Sequence, residues 1–235
     1  MSLNNSYNRI WEIDFIRGIA IILMIIFHLL YDLAVFYNFP INIQTGIIYY
    51  TGKIAASLFI VVAGVSCSFS KNNLKRGTLL ISLGMLIYLL TAVFVPGSNI
   101  IFGILQFLGL SMLLSPLVNR LDPCPLFVIG SIIIISKVYI SDLTIGNSWF
   151  CPVGLPGPQF SSIDYYPLIP WFGPFLYGIA INKLFYREKH SLFKFSPPQK
   201  NLFCFLGQHS LLIYLVHQPV LLLILFLIYT LGKPV

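Results

Sequence analysis

Seven runs of mostly apolar residues, at about 13–36, 45–69, 76–95, 99–118, 125–140, 167–186 and 203–231, fill nearly the whole chain and leave short connections between them. As an α-helix, a run of about 20 residues spans the roughly 30 Å of a bilayer's hydrocarbon and closes its backbone hydrogen bonds internally. The chain therefore reads as an all-α, polytopic transmembrane bundle of about seven spans. With 57% hydrophobic and 9% charged residues in 235, there is sequence for one membrane domain, 1–235, and none for a separate soluble one. The opening MSLNNSYNR has no apolar core, so the first span is expected to stay in the bundle and not be removed as a signal peptide.

Charge orients the spans. Arg9 and Arg17, then Lys71, Lys75 and Arg76, then Arg120, then Lys183, Arg187, Lys189, Lys194 and Lys200 fall at every other connection and so lie on one side. The connections FYNFPINIQ and PGSN are uncharged, and 141–165 holds Asp142 and Asp164 but no Lys or Arg. The positive-inside rule then places the N-terminus in the cytoplasm and the C-terminus outside, as for a multi-pass protein of the cell membrane. Topology accounts for the net charge of +7, so no nucleic-acid partner is called for. The basic loop YREKHSLFKFSPPQKN suits lipid headgroups or the phosphates of a cytosolic cofactor. Cys67, Cys124, Cys151 and Cys204 form no CxxC pair, and no HxxxH spacing points to a metal.

Inside the first span, EIDFIRGIAIILMIIFHLLYDL, Arg17 and His28 stand 11 residues apart. That is almost three helical turns, so they share a face, with Asp14 and Asp32 within about 60° of it. An ionisable group near a bilayer centre costs roughly 2.5–3.5 kcal/mol, so the stripe must face protein, water or ligand. His28 lies about 16 Å along the helix from Arg17. Asp32 follows one turn later, where a carboxylate can orient an imidazole and raise its basicity.

The last span repeats the theme in GQHSLLIYLVHQPV, where Ser210, Tyr214 and His217 lie at i, i+4 and i+7, beside Gln218 and Pro219. His217 should reach a depth comparable to His28, so two histidines are expected to face one cavity, unless the stripe is an interhelical hydrogen-bond seam. Gln106, among apolar residues in the fourth span, reads as a helix-packing amide or a ligand contact. The Gly- and Pro-rich 141–165 connection is long enough to act as a partial lid. It leads into DYYPLIPWFGP, where Pro167, Pro170 and Pro174 should distort the entry to the sixth span. N–H groups freed near Tyr165 and Tyr166 are expected to be available for an oxyanion, and Asp164 for an acceptor group or a helix N-cap.

The blocks WEIDFIRGIAIILMIIFH, IFGILQFLGL, DYYPLIPWFG and GQHSLLIYLVHQP, from about residue 9 to 220, resemble the small prokaryotic relatives of heparan-alpha-glucosaminide N-acetyltransferase. Arg17 to His28 also reproduces the R-x10-H pattern of integral-membrane acyltransferases. The resemblance implies a transmembrane acyltransferase fold, acetyl-CoA or another acyl-CoA as donor substrate without a metal, and a sugar or glycan acceptor at the far side. It makes His28 the general base or acyl carrier and Arg17 a residue that holds donor phosphate or orients the surroundings of His28. Where the relatives commonly have His, this chain has Gln106. On this reading the catalytic residues are His28, Asp32 and His217, with Arg17 on the acyl-CoA and Asp164, Tyr165, Tyr214, Gln218 and Gln106 on the acceptor. The lipid bilayer is the obligate surrounding, and a homodimer is compatible with the composition. Two other readings fit the intramembrane charges: a proton-coupled transporter or flippase, against which the missing internal repeat counts, and a non-enzymatic scaffold with polar seams.

Overall fold

The computed structural model describes residues 9–94, 99–140, 143, 149–158, 160–194 and 201–231. These hold the helices α1 Trp11–Phe36, α2 Gly46–Phe69, α3 Asn73–Phe94, α4 Ile104–Val118, α5 Pro123–Ile140, α6 Leu168–Phe185, α7 Leu202–Gln208 and α8 Ser210–Leu231. No strand occurs among the described residues, only an isolated bridge between Phe102 and Tyr165. Five helices, α1, α2, α3, α5 and α8, are long and apolar enough to cross a bilayer, which makes the chain an all-α polytopic membrane protein. The other two apolar helices are α4, with 15 residues, and α6, whose 18 residues include Asn182 and Lys183. Of the charges that orient the chain in sequence, Asp142 and Lys200 lie outside the described residues.

Three boundaries differ from the apolar runs, each for a local reason. The fourth run starts at 99, but α4 starts at Ile104, because the residues before it pair with another loop. Ile101 N–H donates to Ser162 Oγ at 3.1 Å, Ile163 N–H to Asn99 O at 3.3 Å and Tyr166 N–H to Phe102 O at 2.9 Å. The last run, 203–231, divides at His209 into α7 and α8. Asn201 starts α7, its Oδ1 accepting from the N–H groups of Phe203 and Cys204 at 2.9 and 3.2 Å. At α6 the expected distortion is present: Pro167 is the N-cap, Ile169 is non-helical, and the Ile169–Pro170 peptide is cis.

The chain forms two compact units, one from 1–59 with 189–235 and one from 60–188. In the first, α1 is covered by α7 and α8. Backbones touch at two glycines: a Cβ on Gly18 would run into the Phe203 carbonyl, and one on Gly207 into the Asp14 carbonyl. Further along, α8 follows α1 in the same direction. Ile213 and Tyr214 pack on the core of Ile21, Met24 and Ala55, His217 meets His28, and Gln218 meets Asp32. Glycine at a helix seam lets backbones approach where apolar side chains have no preference for protein over lipid.

In the second unit the same device recurs. Gly77 and Gly109 face each other's carbonyls between α3 and α4, Gly130 and Gly173 do so between α5 and α6, and Gly64 and Gly178 join the later half of α2 to α6. Polar groups lock these seams: Asn182 Nδ2 donates to Val65 O at 3.1 Å, and Lys183 Nζ donates to Asn119 O and Leu121 O at 2.7 and 2.6 Å, capping the end of α4. Gly178→Ala, whose Cβ meets rigid backbone, is expected to cost about 1–3 kcal/mol. Gly52→Ala, which meets only the Phe27 ring, should cost less. Thermal unfolding midpoints in detergent would show the order, and equal midpoints would contradict it.

Candidate active site

The stripe on α1 is divided between two neighbours. Its first part lies against α7. Arg17 Nη1 donates to Asp14 Oδ1 at 3.0 Å and to Gly207 O at 3.4 Å, while Arg9 stands 3.7 Å from Asp14 Oδ2. Arg17 thus holds a carboxylate of its own helix and a carbonyl at the C-terminal end of α7, where a cation is favoured. Beside it is a carboxylate that sequence reasoning passed over. Glu12 is 3% exposed, and its Oε1 accepts from Ser191 Oγ at 2.7 Å and from Leu192 N–H at 2.6 Å. This ties the described part of the basic loop to the start of α1, with the Phe193 ring 6.0 Å from that of Trp11. An acidic residue in the first turn of a membrane helix was the available signal.

The second part lies against α8 and brings His28, Asp32, Tyr214, His217 and Gln218 together. The imidazoles of His28 and His217 meet edge to face, centroids 4.8 Å apart at 83°. His28 Nδ1 is 2.9 Å from Met24 O, and His217 Nδ1 is 2.6 Å from Tyr214 O. A carbonyl oxygen has no proton to give, so Nδ1 carries the hydrogen in both rings, and in the neutral form of either imidazole the lone pair is on Nε2. The group that orients His28 is therefore its own helix backbone, where the sequence suggested Asp32. The Tyr214 ring flanks His217 at 5.5 Å.

Asp32 is fully buried at 0% exposure, and its Oδ1 accepts from Gln218 Nε2 at 2.7 Å. A carboxylate next to an amide fixes the amide's orientation, with nitrogen toward the acid and Oε1 turned away. Asp32 Oδ2, Gln218 Oε1 and His217 Nε2 are buried and have no hydrogen-bond partner among the described residues. No trio of His, Cys, Asp or Glu among those residues is placed to share a metal ion. One level with this cluster is a cation that the sequence reading did not use. Lys53 of α2 follows Gly52, which packs on Phe27, and its Nζ lies 5.4 Å from the Tyr49 ring.

Gln106, Asp164 and Tyr165 belong to the second unit, where each has a definite local partner. Gln106 Oε1 accepts from Gly103 N–H at 3.1 Å, and its Nε2 donates to Gly84 O at 2.9 Å. It thereby caps α4 and joins it to α3. Asp164 Oδ2 accepts from Ile104 N–H at 3.3 Å, which makes it a cap for α4 and not for α6. Tyr165 donates its hydroxyl to Cys151 O at 2.6 Å. Burial pushes the phenols of Tyr165 and Tyr166 upward, with the Cys151 thiol and the Asp164 carboxylate respectively adding to the effect, so both remain protonated donors. The N–H groups expected to be free for an oxyanion are taken: Tyr166 donates to Phe102 O, Leu168 to Pro152 O at 2.8 Å and Ile169 to Val153 O at 3.0 Å. The loop supplies the carbonyls that the prolines left these donors needing.

Residues 9–219 match the family described as heparan-alpha-glucosaminide N-acetyltransferase, catalytic. The chain belongs to this family. No curated protein and no solved structure is matched. Membership in the heparan-alpha-glucosaminide N-acetyltransferase catalytic family makes the chain a transmembrane acetyltransferase in kind, and the matched span takes in α1 and the part of α8 that carries Tyr214, His217 and Gln218. Gln106→Leu, which strands the Gly103 N–H and the Gly84 carbonyl, is expected to lower stability by about 1–3 kcal/mol in chemical unfolding. A wild-type midpoint would show that those bonds are dispensable.

Proposed function

We propose that this protein moves an acetyl or other short acyl group from cytosolic acyl-CoA to an amine or hydroxyl of a sugar or glycan on the extracytoplasmic side, with His28 as general base. The observation that carries the reading is the state of the two imidazoles. Each has Nδ1–H committed to a backbone carbonyl, so in the neutral ring the lone pair a base needs is on Nε2, turned away from the helix backbone. His28 is the less buried of the pair, so it is the one better placed to meet two substrates.

The reaction needs little else. The acceptor heteroatom attacks the thioester carbonyl while Nε2 of His28 takes its proton, and collapse of the tetrahedral intermediate expels the CoA thiolate, which the proton on His28 then neutralises. Arg17, near the opposite end of the stripe, adds positive charge for the phosphates of the donor while it holds Asp14 and α7. The parallel course of α1 and α8 supports an odd number of spans, in keeping with seven, and the one-sided Lys and Arg residues support an N-terminus inside and a C-terminus outside.

His28→Ala is expected to lower kcat about 10²–10⁴-fold, the range of a lost general base, with an unchanged unfolding midpoint. The assay is transfer of radiolabel from acetyl-CoA to glycans by purified protein in reconstituted membranes. Wild-type turnover in the variant would remove His28 from the chemistry. Solute uptake by proteoliposomes without acyl-CoA, in place of transfer, would favour proton-coupled transport. Arg17→Ala should raise KM for acyl-CoA about tenfold, as expected for a lost charge-assisted contact. A change in kcat alone would place Arg17 elsewhere in the cycle.

A further inference from the structure

The α1–α8 seam contains three buried polar atoms of one kind. Asp32 Oδ2, Gln218 Oε1 and, in the neutral ring, His217 Nε2 are all hydrogen-bond acceptors, and none has a donor among the described residues. Their character follows from their bonded neighbours: Asp32 Oδ1 takes the Gln218 amide hydrogen, which turns Oε1 outward, and the Tyr214 carbonyl takes the His217 Nδ1 hydrogen. Asp32 is 0% and His217 is 8% exposed, so leaving these atoms empty is costly. Elsewhere among the described residues Ser111 Oγ and single oxygens of Glu12, Asn73 and Asn119 also lack partners, but not three on one helix seam, and a helical hydroxyl can turn to a carbonyl of its own helix. A carboxylate oxygen, an amide oxygen fixed by its partner and an imidazole nitrogen fixed by its own cannot.

We infer that Asp32, Gln218 and His217 form the subsite for the acceptor substrate, recognising a group rich in polar hydrogens, an ammonium or vicinal hydroxyls of a sugar. The identity of the occupant as an acceptor rests on the acyl-transfer reading, whereas its chemistry rests on the three atoms alone. An anion has only lone pairs to offer and is repelled by Asp32, so neither the donor's phosphates nor a carboxylate, phosphate or sulfate of the acceptor sits here. Acylation replaces polar hydrogens by an acyl group: a hydroxyl becomes an ester with none, and a primary amine becomes an amide with one. The subsite therefore holds the unreacted group more tightly than the product. His217 is in this account a binding residue, and His28, in ring contact with it, is the base that the bound group reaches.

The test is calorimetric titration of the purified full-length chain in nanodiscs, without acyl-CoA, using glucosamine, methyl glucoside and N-acetylglucosamine as probes. Expected is binding of glucosamine or methyl glucoside, weaker binding of N-acetylglucosamine where the amine is the group held, and at least about tenfold loss in Asp32→Asn and His217→Leu, as for a lost buried hydrogen bond. Asp32→Asn keeps the shape and the bond from Gln218 but can turn an N–H where an acceptor stood, so it decides the matter if His217→Leu does not fold. A larger loss for glucosamine than for methyl glucoside in Asp32→Asn identifies the ammonium, and equal losses identify hydroxyls. No binding of any probe to the wild type, or wild-type affinity in Asp32→Asn, overturns the subsite. Variant-sensitive sugar binding without acetyl transfer would instead overturn the enzymatic reading and leave the subsite standing. Acetyl transfer with variant-insensitive binding would do the reverse.

Discussion

Inside a bilayer there is no water to complete a hydrogen bond, and this constraint arranges the rest of the molecule. Backbone groups are satisfied within helices. Helices meet where glycine lets a carbonyl approach a neighbouring backbone, as at Gly18, Gly207, Gly64 and Gly178. Each polar side chain that enters a seam must find a protein partner there, and most do. Gln106 spends both ends of its amide on Gly103 and Gly84, Asn182 reaches Val65, Lys183 ties off α4, and Glu12 holds Ser191 and Leu192. These groups join elements that are distant in sequence, which is a sufficient reason for their presence in an apolar chain.

Against that rule the α1–α8 seam stands out by number: single buried oxygens of Glu12 and Asn73 also lack partners among the described residues, but here three such acceptors gather on one seam. Asp32 and Gln218 satisfy one another at one atom each and leave the other atom without a partner among the described residues, and His217 does the same with its second nitrogen. A merely structural pairing of α1 with α8 would be better served by leucine, because a buried polar contact offsets its desolvation only when every lone pair is used. The polar residues of this seam do hold two helices together, but they hold them with capacity to spare. That spare capacity separates a site from a staple.

Much of this was legible in sequence and some was not. The apolar runs gave the long helices because length and hydropathy decide membrane helices almost alone. The spacing of Arg17, Asp14, His28 and Asp32, and of Tyr214 and His217, gave two faces, and those faces meet where equal depth predicted. The partners were hidden. Whether a carboxylate turns to the imidazole one turn away or to a glutamine 186 residues along the chain is settled by α8's approach, which no local pattern encodes. The same holds for the N–H groups of Leu168 and Ile169: the prolines predicted that regular bonds would be lost, but not that the carbonyls of Pro152 and Val153 would replace them. Asp164 was legible as a possible cap but its helix was not, because the Phe102–Tyr165 bridge, which sets it at the start of α4, joins segments about 60 residues apart in the chain.

The two histidines now have different claims. Their spacing made them equivalent candidates, and their tautomers are the same, so neither sequence nor ring chemistry ranks them. Burial does. A general base must meet both the acceptor that gives it a proton and the thiolate that takes it, and a ring at 8% exposure meets the thiolate less readily than a neighbour nearer the surface. His217 has such a neighbour in His28, whose ring is in contact and is itself only half-buried. Proton traffic therefore passes His28 whether or not it begins there. Assigning the base to His28 and recognition to His217 is the arrangement that requires no second path.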